Sequence, residues 1–266
     1  MEGIKPLIAI GHSDEEPWNT IRRAQELTWV SDFKKHYDVI YVKSRKGNSF
    51  VKKIDKLHEN LRFKKVTGRF VGISDRMFLR NNLRNIPESE FDFQGDFVAH
   101  SYSTYATMNR RTYSLFKWFI QCTDYTHLFT TTSSSYLNLS GFNRMLRKNG
   151  LKSMLLAGSP FNDSEESSFV SGSGRLLSRD LVNRFLETKS DFPTWRIDDI
   201  AVSEHSKQLK ANVEFWKRID IYTYEDLTSF KAEAHLSRDV FHFRIKTQTR
   251  PNLDSEIMRS LHNFLS

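Results

Sequence analysis

Six apolar runs of strand length constrain the fold of this chain more than any other feature. Each run is rich in β-branched, aromatic or other apolar residues and is bounded by polar or turn-forming residues, as is typical of buried β-strands. The runs are PLIAIG (6–11), DVIYV (38–42), HLFTTT (127–132), SMLLAG (153–158), IDIYTY (219–224) and VFHFRI (240–245). Helical spacing of apolar residues occurs over 19–36, 106–121, 139–149, 178–188, 197–210 and 253–265. This alternation predicts an α/β sandwich around a largely parallel, mixed sheet.

The size of the chain suits one large domain. Its 266 residues include 38% apolar side chains, enough to bury a substantial core, and no linker or repeat divides the pattern. Cys122 is the single cysteine, so an intramolecular disulfide is excluded. The N-terminus has neither a signal-peptide core nor an apolar run long enough to cross a bilayer. With Met1 as the native start, we expect a cytoplasmic protein without a transmembrane segment.

The charge of the chain is strongly positive and unevenly distributed. The formal net charge is +8, and twelve Lys and Arg residues lie between Lys34 and Arg69 against three acidic residues. Such a balance indicates an anionic partner, which could be a phosphate-bearing cofactor, a nucleic acid or an acidic surface. A solvated basic face without any ligand is the alternative.

The first strand ends in Gly11-His12-Ser13, just before a predicted helix. Ligands of open α/β sheets bind beyond the carboxyl ends of the strands, where the free N–H groups of a helix start can bind phosphate. The sequence contains neither GxGxxG nor GxxxxGK[ST], which argues against a Rossmann dinucleotide site and a P-loop. A nucleotide held by a different loop remains open.

Five segments, taken in order, are similar to motifs of one enzyme family. They are TIRRAQELTW (20–29), YATMNRRTYSLFKW (105–118), HLFTTTSSSYLN (127–138), FVSGSGRLLSRDLV (169–182) and RIDDIAVS (196–203). The family is the β-1,3-glycosyltransferases, which include the β-1,3-galactosyltransferases and the fringe proteins. The resemblance spans about 180 residues and implies a GT-A type fold over 1–266, with a nucleotide-sugar-binding half (1–125) and an acceptor and catalytic half (126–266).

The chain departs from the family at its metal-binding acidic triplet. Thr132, Ser133 and Ser134 stand where the family has three aspartates that hold a divalent cation on the donor diphosphate. Neutral hydroxyls are poor ligands for a hard cation, so a conventional metal site and a metal cofactor are not expected. Either fixed cations and hydrogen bonds stabilise the leaving diphosphate, or catalysis is lost and the chain is a binding module.

The resemblance and the position of the first strand together suggest a set of donor-binding residues. Arg22 and Arg111 fall in register with family motifs, and period-two spacing puts His242, Arg244 and Lys246 on one face of a strand. His242 resembles a late metal-binding histidine of the family. For the arginines the alternative is an exposed surface position, and for His242 it is a buried structural role. The candidates are Gly11, His12, Arg22, Arg111, Thr132, Ser133, Ser134, His242, Arg244 and Lys246.

Asp198 and Asp199 are the catalytic candidates. Inverting sugar transfer requires a carboxylate that takes the proton of the acceptor hydroxyl, and the resemblance gives this role to Asp199. Asp198 would orient a partner or the acceptor, or would instead cap the helix that starts there. The sugar or acceptor pocket is predicted from a glycine-rich loop and one aromatic residue. The alternative for the glycines is a tight turn, and for the aromatic residue it is a position in the core. These residues are Gly172, Ser173, Gly174 and Trp195.

Donor and acceptor follow from the resemblance only as classes. Uridine nucleotides are usual donors in the family. Its eukaryotic members are membrane-anchored and disulfide-bonded, so this chain looks like a bacterial relative, or a viral or phage relative inside a host cell. The acceptor is either a glycan or a hydroxylated base of DNA, and the basic 34–69 region would bind the phosphate backbone in the second case.

Overall fold

We analysed a computed structural model of the chain. It describes residues 3–45, 89–92, 94–102, 108–161, 169–192, 197–233 and 240–266. Residues 46–69, which form most of the basic 34–69 region, lie outside the described residues. Trp195 lies outside them as well.

Most strands belong to one large mixed sheet. The strands are β1 (Pro6–Gly11), β2 (Asp38–Arg45), β3 (Glu90–Phe91), β4 (Phe97–Tyr102), β5 (His127–Thr132), β6 (Ser135–Leu137), β7 (Leu155–Pro160), β8 (Val170–Ser178), β9 (Asn212–Phe215), β10 (Arg218–Ile221) and β11 (His242–Ile245). The large sheet has the order β3-β4-β2-β1-β5-β8-β7-β9. Strands β4, β2, β1 and β5 run parallel, as do β7 and β9, whereas β3 and β8 run antiparallel to their neighbours.

Helices cover both faces of this sheet. They are α1 (Trp18–Glu26), α2 (Trp29–Phe33), α3 (Met108–Cys122), α4 (Leu139–Asn149), α5 (Arg179–Glu187), α6 (Asp198–Gln208), α7 (Tyr224–Glu233) and α8 (Asn252–Leu265). Alternation along β1 sends Leu7 and Ala9 into a core with α3, α5 and α6, and Ile8 and Ile10 into a second core with the other helices. The predicted α/β sandwich is confirmed.

The segment FTTTSSSYLN (129–138) contains a run of Thr and Ser residues at 130–135, and this hydroxyl run joins two sheets. Strand β5 ends at Thr132, a two-residue turn follows, and β6 begins at Ser135 in a small sheet of order β10-β11-β6. The Ser135 hydroxyl donates to the Ser173 carbonyl at 3.0 Å. Asn138 then caps α4 by accepting from the Gly141 amide at 2.9 Å. The run is therefore an ordered connection, in which the Ser133 and Ser135 hydroxyls donate to backbone carbonyls.

Several sequence predictions are corrected by the structure. The predicted SGSG loop (171–174) is part of strand β8. The predicted strand 219–224 ends at Ile221, and helix α7 begins at Tyr224. The predicted helix 19–36 is two helices, because the chain breaks between α1 and α2 at Leu27 and Thr28. None of the described helices is long and apolar enough to span a bilayer.

The absence of a side chain at Gly174 is explained by a neighbouring ring. A Cβ at this position would lie 2.2 Å from Cε1 of His242, which is fully buried. His242 shares a hydrogen bond with the Ser135 hydroxyl at 3.3 Å and accepts one from the Trp216 indole at 3.4 Å, so its ring cannot easily move. Close packing against His242, rather than a tight turn, requires glycine here.

Gly174→Ala is expected to destabilise the protein by about 1–3 kcal/mol, because the new methyl group overpacks the buried ring. Gly172→Ala on the same strand is the control, since its Cβ would lie 3.4 Å from the nearest atom, Cβ of Asp199, an ordinary contact. Denaturant unfolding of both variants measures the difference. Equal unfolding free energies for Gly174→Ala and the wild type would contradict this packing argument.

Candidate active site

A cavity of about 760 Å³ lies at the carboxyl ends of β1, β2 and β5. Parallel neighbours bring these ends to one edge of the sheet, which is where open α/β sheets bind ligands. Strand β8 is antiparallel to β5, so its first residues reach the same edge. The first turns of α3 and α6 and the segment after β11 complete the walls.

Most of the sequence-predicted site residues line this cavity. They are Gly11, His12, Arg111, Thr132, Ser133, Ser134, Gly172, Ser173, Asp198, Asp199, Arg244 and Lys246. Arg22, Gly174 and His242 are not part of its lining. Residues from distant parts of the sequence thus meet at one site, while their individual roles stay predictions.

Asp198 is an ionised structural carboxylate. It is 6% exposed, and its Oδ2 accepts from Arg175 Nη2 at 2.9 Å and from the Thr112 hydroxyl at 3.2 Å. Burial acts to raise the pKa of Asp198, but the charges of Arg175 and Arg111 outweigh it and hold that pKa below its ordinary value. Helix α6 has Ile197 at its N-cap position, and Asp198 lies in its first turn. The alternative that Asp198 caps the helix is therefore wrong.

Asp199 has the opposite electrostatic environment. Its Oδ1 accepts from the Ile200 amide at 2.9 Å, and its Oδ2 is 3.4 Å from the Gly172 amide. Burial and the neighbouring charge of Asp198 raise the pKa of Asp199 above its ordinary value. A partly buried carboxylate with a raised pKa, facing a cavity, is the type of group that accepts protons in catalysis.

The residues of the hydroxyl triplet are engaged by the protein itself. The Ser133 hydroxyl donates to the Gly11 carbonyl at 2.9 Å, and the Ser134 hydroxyl accepts from Arg250 Nη2 at 3.1 Å. The Thr132 hydroxyl lies 3.5 Å from that of Ser135. A divalent cation would find neutral oxygens beside a guanidinium here, so the triplet does not fit a metal ion. The described residues contain no group of three His, Cys, Asp or Glu side chains suited to a metal.

Arg111 is a cation without a hydrogen bond to any described residue. Its side chain lines the cavity, and Nη2 would lie 3.8 Å from a Cβ built on Gly11. Burial lowers the pKa of Arg111, and the charge of Asp198 opposes that effect. This guanidinium is therefore available to an anionic ligand at the end of β1.

The other predicted cations differ in how freely they can bind a ligand. Arg244 is half-buried, and its Nη1 lies 3.7 Å from Asp220 Oδ2. Lys246 is exposed at the rim. His12 is buried, and neither of its ring nitrogens has a hydrogen-bond partner among the described residues. Burial and the charge of Arg22 lower the pKa of His12, so at neutral pH it offers an uncharged ring.

Arg22 belongs to a buried ion-pair network beside the cavity. Its guanidinium bonds both carboxylate oxygens of Asp96, at 2.5 and 2.9 Å, and lies 3.9 Å from the Tyr41 ring centroid. Lys43, counted above in the basic segment, is 2.6 Å from Asp92 and 3.3 Å from Asp96. The charges of both residues are paired within the protein, and Arg22 does not line the cavity in which the other predicted donor residues meet.

His242 also lies outside the cavity. It is fully buried, and burial together with the charges of Arg218 and Arg244 lowers its pKa to about 3. Its ring nitrogens contact the Ser135 hydroxyl and the Trp216 indole, and it belongs to no group of three His, Cys, Asp or Glu side chains among the described residues. The structural alternative for His242 matches this position.

Sequence reasoning did not select several residues that complete the site. Arg175 follows the SGSG segment on β8, and its spacing of two from Ser173 could have indicated a shared strand. Phe161 lines the cavity mouth, is 56% exposed and stacks on Phe169 with ring centroids 4.8 Å apart. Arg250 lies in an irregular polar stretch and gave no sequence signal. Trp18 and Thr112 complete this group.

Arg175→Met is expected to cost about 3–5 kcal/mol of unfolding free energy at neutral pH, because Asp198 stays buried without its closest cation. The folded pKa of Asp198 is depressed in the wild type, so the ion pair stabilises above the unfolded carboxyl pKa and this contribution is lost as pH falls through the folded pKa. The difference between variant and wild type should therefore shrink in acid. Urea unfolding from pH 7 down to about pH 2 measures it, since the change lies below the ordinary aspartate pKa.

Arg184→Met is the matched control, since Arg184 pairs with Glu187 on the surface, where both side chains are about half exposed. Its effect should stay within about 0.5 kcal/mol. A similarly small effect of Arg175→Met would show that the buried pair does not stabilise the site.

No protein-family model matches the chain, and no curated protein sequence matches it. Several solved structures align with the backbone of this chain. One is a glycosyltransferase involved in the glycosylation of the major capsid of PBCV-1. It aligns with a TM-score of 0.49 and 10% identity, over 96% of this chain and 99% of that chain. The galactosyltransferase LgtC, in complex with donor and acceptor sugar analogs, aligns with a TM-score of 0.40 and 10% identity over 97% and 96% of the two chains. Mouse xyloside xylosyltransferase 1 aligns with a TM-score of 0.41 and 6% identity over 94% and 98%. At these values the likeness assigns neither a family nor an activity.

Proposed function

We propose that the protein is an inverting glycosyltransferase that moves a sugar from a nucleotide sugar, most naturally a UDP-sugar, to an acceptor hydroxyl. One observation carries the proposal. The cavity at the carboxyl ends of the strands combines a carboxylate of raised pKa, Asp199, with a guanidinium that bonds no described residue, Arg111. Sugar transfer from a diphosphate donor requires a base and an anion-binding group in one pocket. The motif resemblance supports the same reading.

Asp199 is the proposed general base. The acceptor oxygen attacks the anomeric carbon, its proton passes to the Asp199 carboxylate, and the bond from that carbon to the diphosphate oxygen breaks with its electron pair on the leaving group. Attack opposite the leaving group inverts the anomeric configuration. Asp198 cannot easily take the proton, because Arg175 holds it in the ionised state. Its charge instead increases the proton affinity of Asp199.

The cavity also carries excess positive charge for the leaving diphosphate. Its charged lining consists of Arg111, Arg175, Arg244, Lys246 and Arg250 against Asp198 and Asp199. Arg175 pairs with Asp198, Arg250 with Asp254 and, at a longer distance, Arg244 with Asp220, whereas Arg111 and Lys246 have no ion pair within 4 Å among the described residues. Fixed cations in a partly desolvated site stabilise developing charge without a metal ion, since they need no reorganisation during the reaction.

The acceptor stays open between a glycan and a hydroxylated DNA base. Phe161 offers an exposed aromatic ring at the cavity mouth, supported by Phe169 stacked on it, and both a sugar ring and a base can pack on such a ring. Salt-sensitive retention on duplex DNA separates the two classes, because only binding to the phosphate backbone releases many counterions. A binding module without catalysis is the alternative function, and the base of raised pKa argues against it.

Asp199→Asn should fold normally and lower kcat by about 10²–10⁴-fold, the usual contribution of a general base. Donor affinity should change little. In the wild type, kcat/KM should fall as pH drops through the raised pKa of Asp199, since only the ionised carboxylate accepts a proton. Radiolabelled sugar transfer to candidate acceptors measures both effects, with the exposed Asp191→Asn as control. Substantial activity of Asp199→Asn would place the base elsewhere.

Donor binding should persist in EDTA. A nucleotide sugar at about 100 times its Kd adds about 2.7 kcal/mol of stability, which a thermal-shift screen detects easily. The shift with the preferred donor should be the same in EDTA and in Mn²⁺. A strict manganese requirement would mean that other residues build a metal site, and no shift with any nucleotide sugar would favour the binding-module alternative.

A further inference from the structure

Arg250 differs from the other cations of the cavity in what it contacts. Its Nη2 donates to the Ser134 hydroxyl at 3.1 Å and to the Ile245 carbonyl at 2.8 Å. Ser134 is the last residue of the triplet that the resembling family uses to hold its metal ion. A guanidinium is therefore bonded directly to the position at which a metal-binding carboxylate would stand.

The guanidinium of Arg250 is held rigidly. Its Nε lies 2.8 Å from Asp254 Oδ2, and the other oxygen of Asp254 accepts from the Thr247 amide at 2.9 Å and hydroxyl at 2.6 Å. Asp254 is completely buried, so this support is fixed. The guanidinium also lies 5.1 Å from the Trp18 ring centroid, within the range of a cation–π contact. An arginine held on several sides loses little entropy when it binds a ligand.

Part of Arg250 remains available to a ligand. The residue lines the cavity, and its Nη1 has no hydrogen-bond partner among the residues that the structure describes. Burial lowers the pKa of Arg250 more than the charge of Asp254 raises it. The protein therefore does not fully offset the cost of burying this positive charge. Arginine remains protonated in proteins, and an anion is the ligand that would restore the balance.

Arg250 and Arg111 enter the cavity from different parts of the chain. Arg111 comes from the first turn of α3 beside Gly11, and Arg250 follows β11 beside Ser134. Gly11 and Ser134 are linked through Ser133, whose amide and hydroxyl both bind the Gly11 carbonyl, at 3.1 and 2.9 Å. Both guanidinium groups therefore border the same short turn.

We infer that Arg250 is the fixed cation that binds the diphosphate of the nucleotide donor, in the position that a divalent metal ion takes in the resembling family. This inference rests on the proposed function. In this inference, the guanidinium of Arg250, bonded to Ser134 at the third triplet position, replaces the metal ion that an acidic triplet would hold.

The test is a titration series with nucleotides of decreasing charge. Calorimetry in EDTA measures the Kd of UDP, GDP and dTDP for the full-length protein, and then the Kd of the monophosphate and nucleoside that correspond to the tightest binder. In Arg250→Gln the diphosphate should bind about 10- to 100-fold more weakly, the range for losing hydrogen bonds to a charged group. Nucleoside affinity should stay unchanged, because the inference assigns Arg250 to the diphosphate and not to the base or ribose. Arg250→Lys should retain only part of the diphosphate affinity.

Two further variants separate binding from folding. Arg147→Gln on α4 removes an exposed arginine outside the cavity and should leave every Kd unchanged. If Arg250→Gln fails to fold because Asp254 loses its cation, the double variant Arg250→Gln with Asp254→Asn removes both charges and should show the same selective loss.

The outcomes are distinguishable. If the wild type binds a nucleoside diphosphate but Arg250→Gln binds it equally tightly, this inference is wrong and the proposed function stands. If the wild type binds none of the diphosphates, both are overturned. An equal loss of affinity for nucleoside and diphosphate would indicate only a structural role for Arg250.

Discussion

The buried ion pair between Arg175 and Asp198 is the interaction on which the candidate site depends. Arg175 extends from β8, its Nε bonds the Thr130 hydroxyl of β5 at 3.0 Å, and its Nη2 bonds Asp198 at the start of α6. Asp198 in turn accepts from Thr112 of α3. Two strands and two helices are thereby connected through one pair of charges. The same pair also contributes to the pKa of Asp199, which burial raises most and the charge of the adjacent Asp198 raises further.

The strand and helix pattern predicted the fold well where periodicity was strong. Strand β1, strand β5 and helix α4 have the predicted bounds, since their apolar residues face buried cores on one or both sides. Glycines misled the prediction at 171–174, because the sequence does not reveal that a histidine 68 residues away packs against Gly174. The short edge strand β3 and the buried β6 have too few residues to show a period.

The sequence does not show which of the predicted cations form ion pairs with acidic residues inside the protein, and this decided which site predictions held. Arg22 and Arg111 look alike in the sequence, each on a helix and each in register with a motif. In the structure Arg22 bonds Asp96, whereas Arg111 bonds no described residue. Only the positions of acidic residues in space separate the two, and Asp96 is 74 residues from Arg22 in the chain. Arg250 was missed for a different reason: its acidic partner Asp254 is only four residues away, but its contact with Ser134, 116 residues away, cannot be seen in the sequence.

The hydroxyl triplet and the cation beside it are best understood as one physical unit. Two aspartates at 133 and 134 would place new charge next to the guanidinium of Arg250, which would then bind them rather than a ligand. Serine avoids this competition, because a hydroxyl can accept one hydrogen bond from Arg250 and leave its positive charge unneutralised. Without Arg250 the triplet itself would offer no positive charge, and an anion in the cavity would depend on the other cations of the lining, Arg111, Arg244 and Lys246. In the role inferred for Arg250, the neutral triplet and the anchored arginine together form one arrangement for binding a diphosphate.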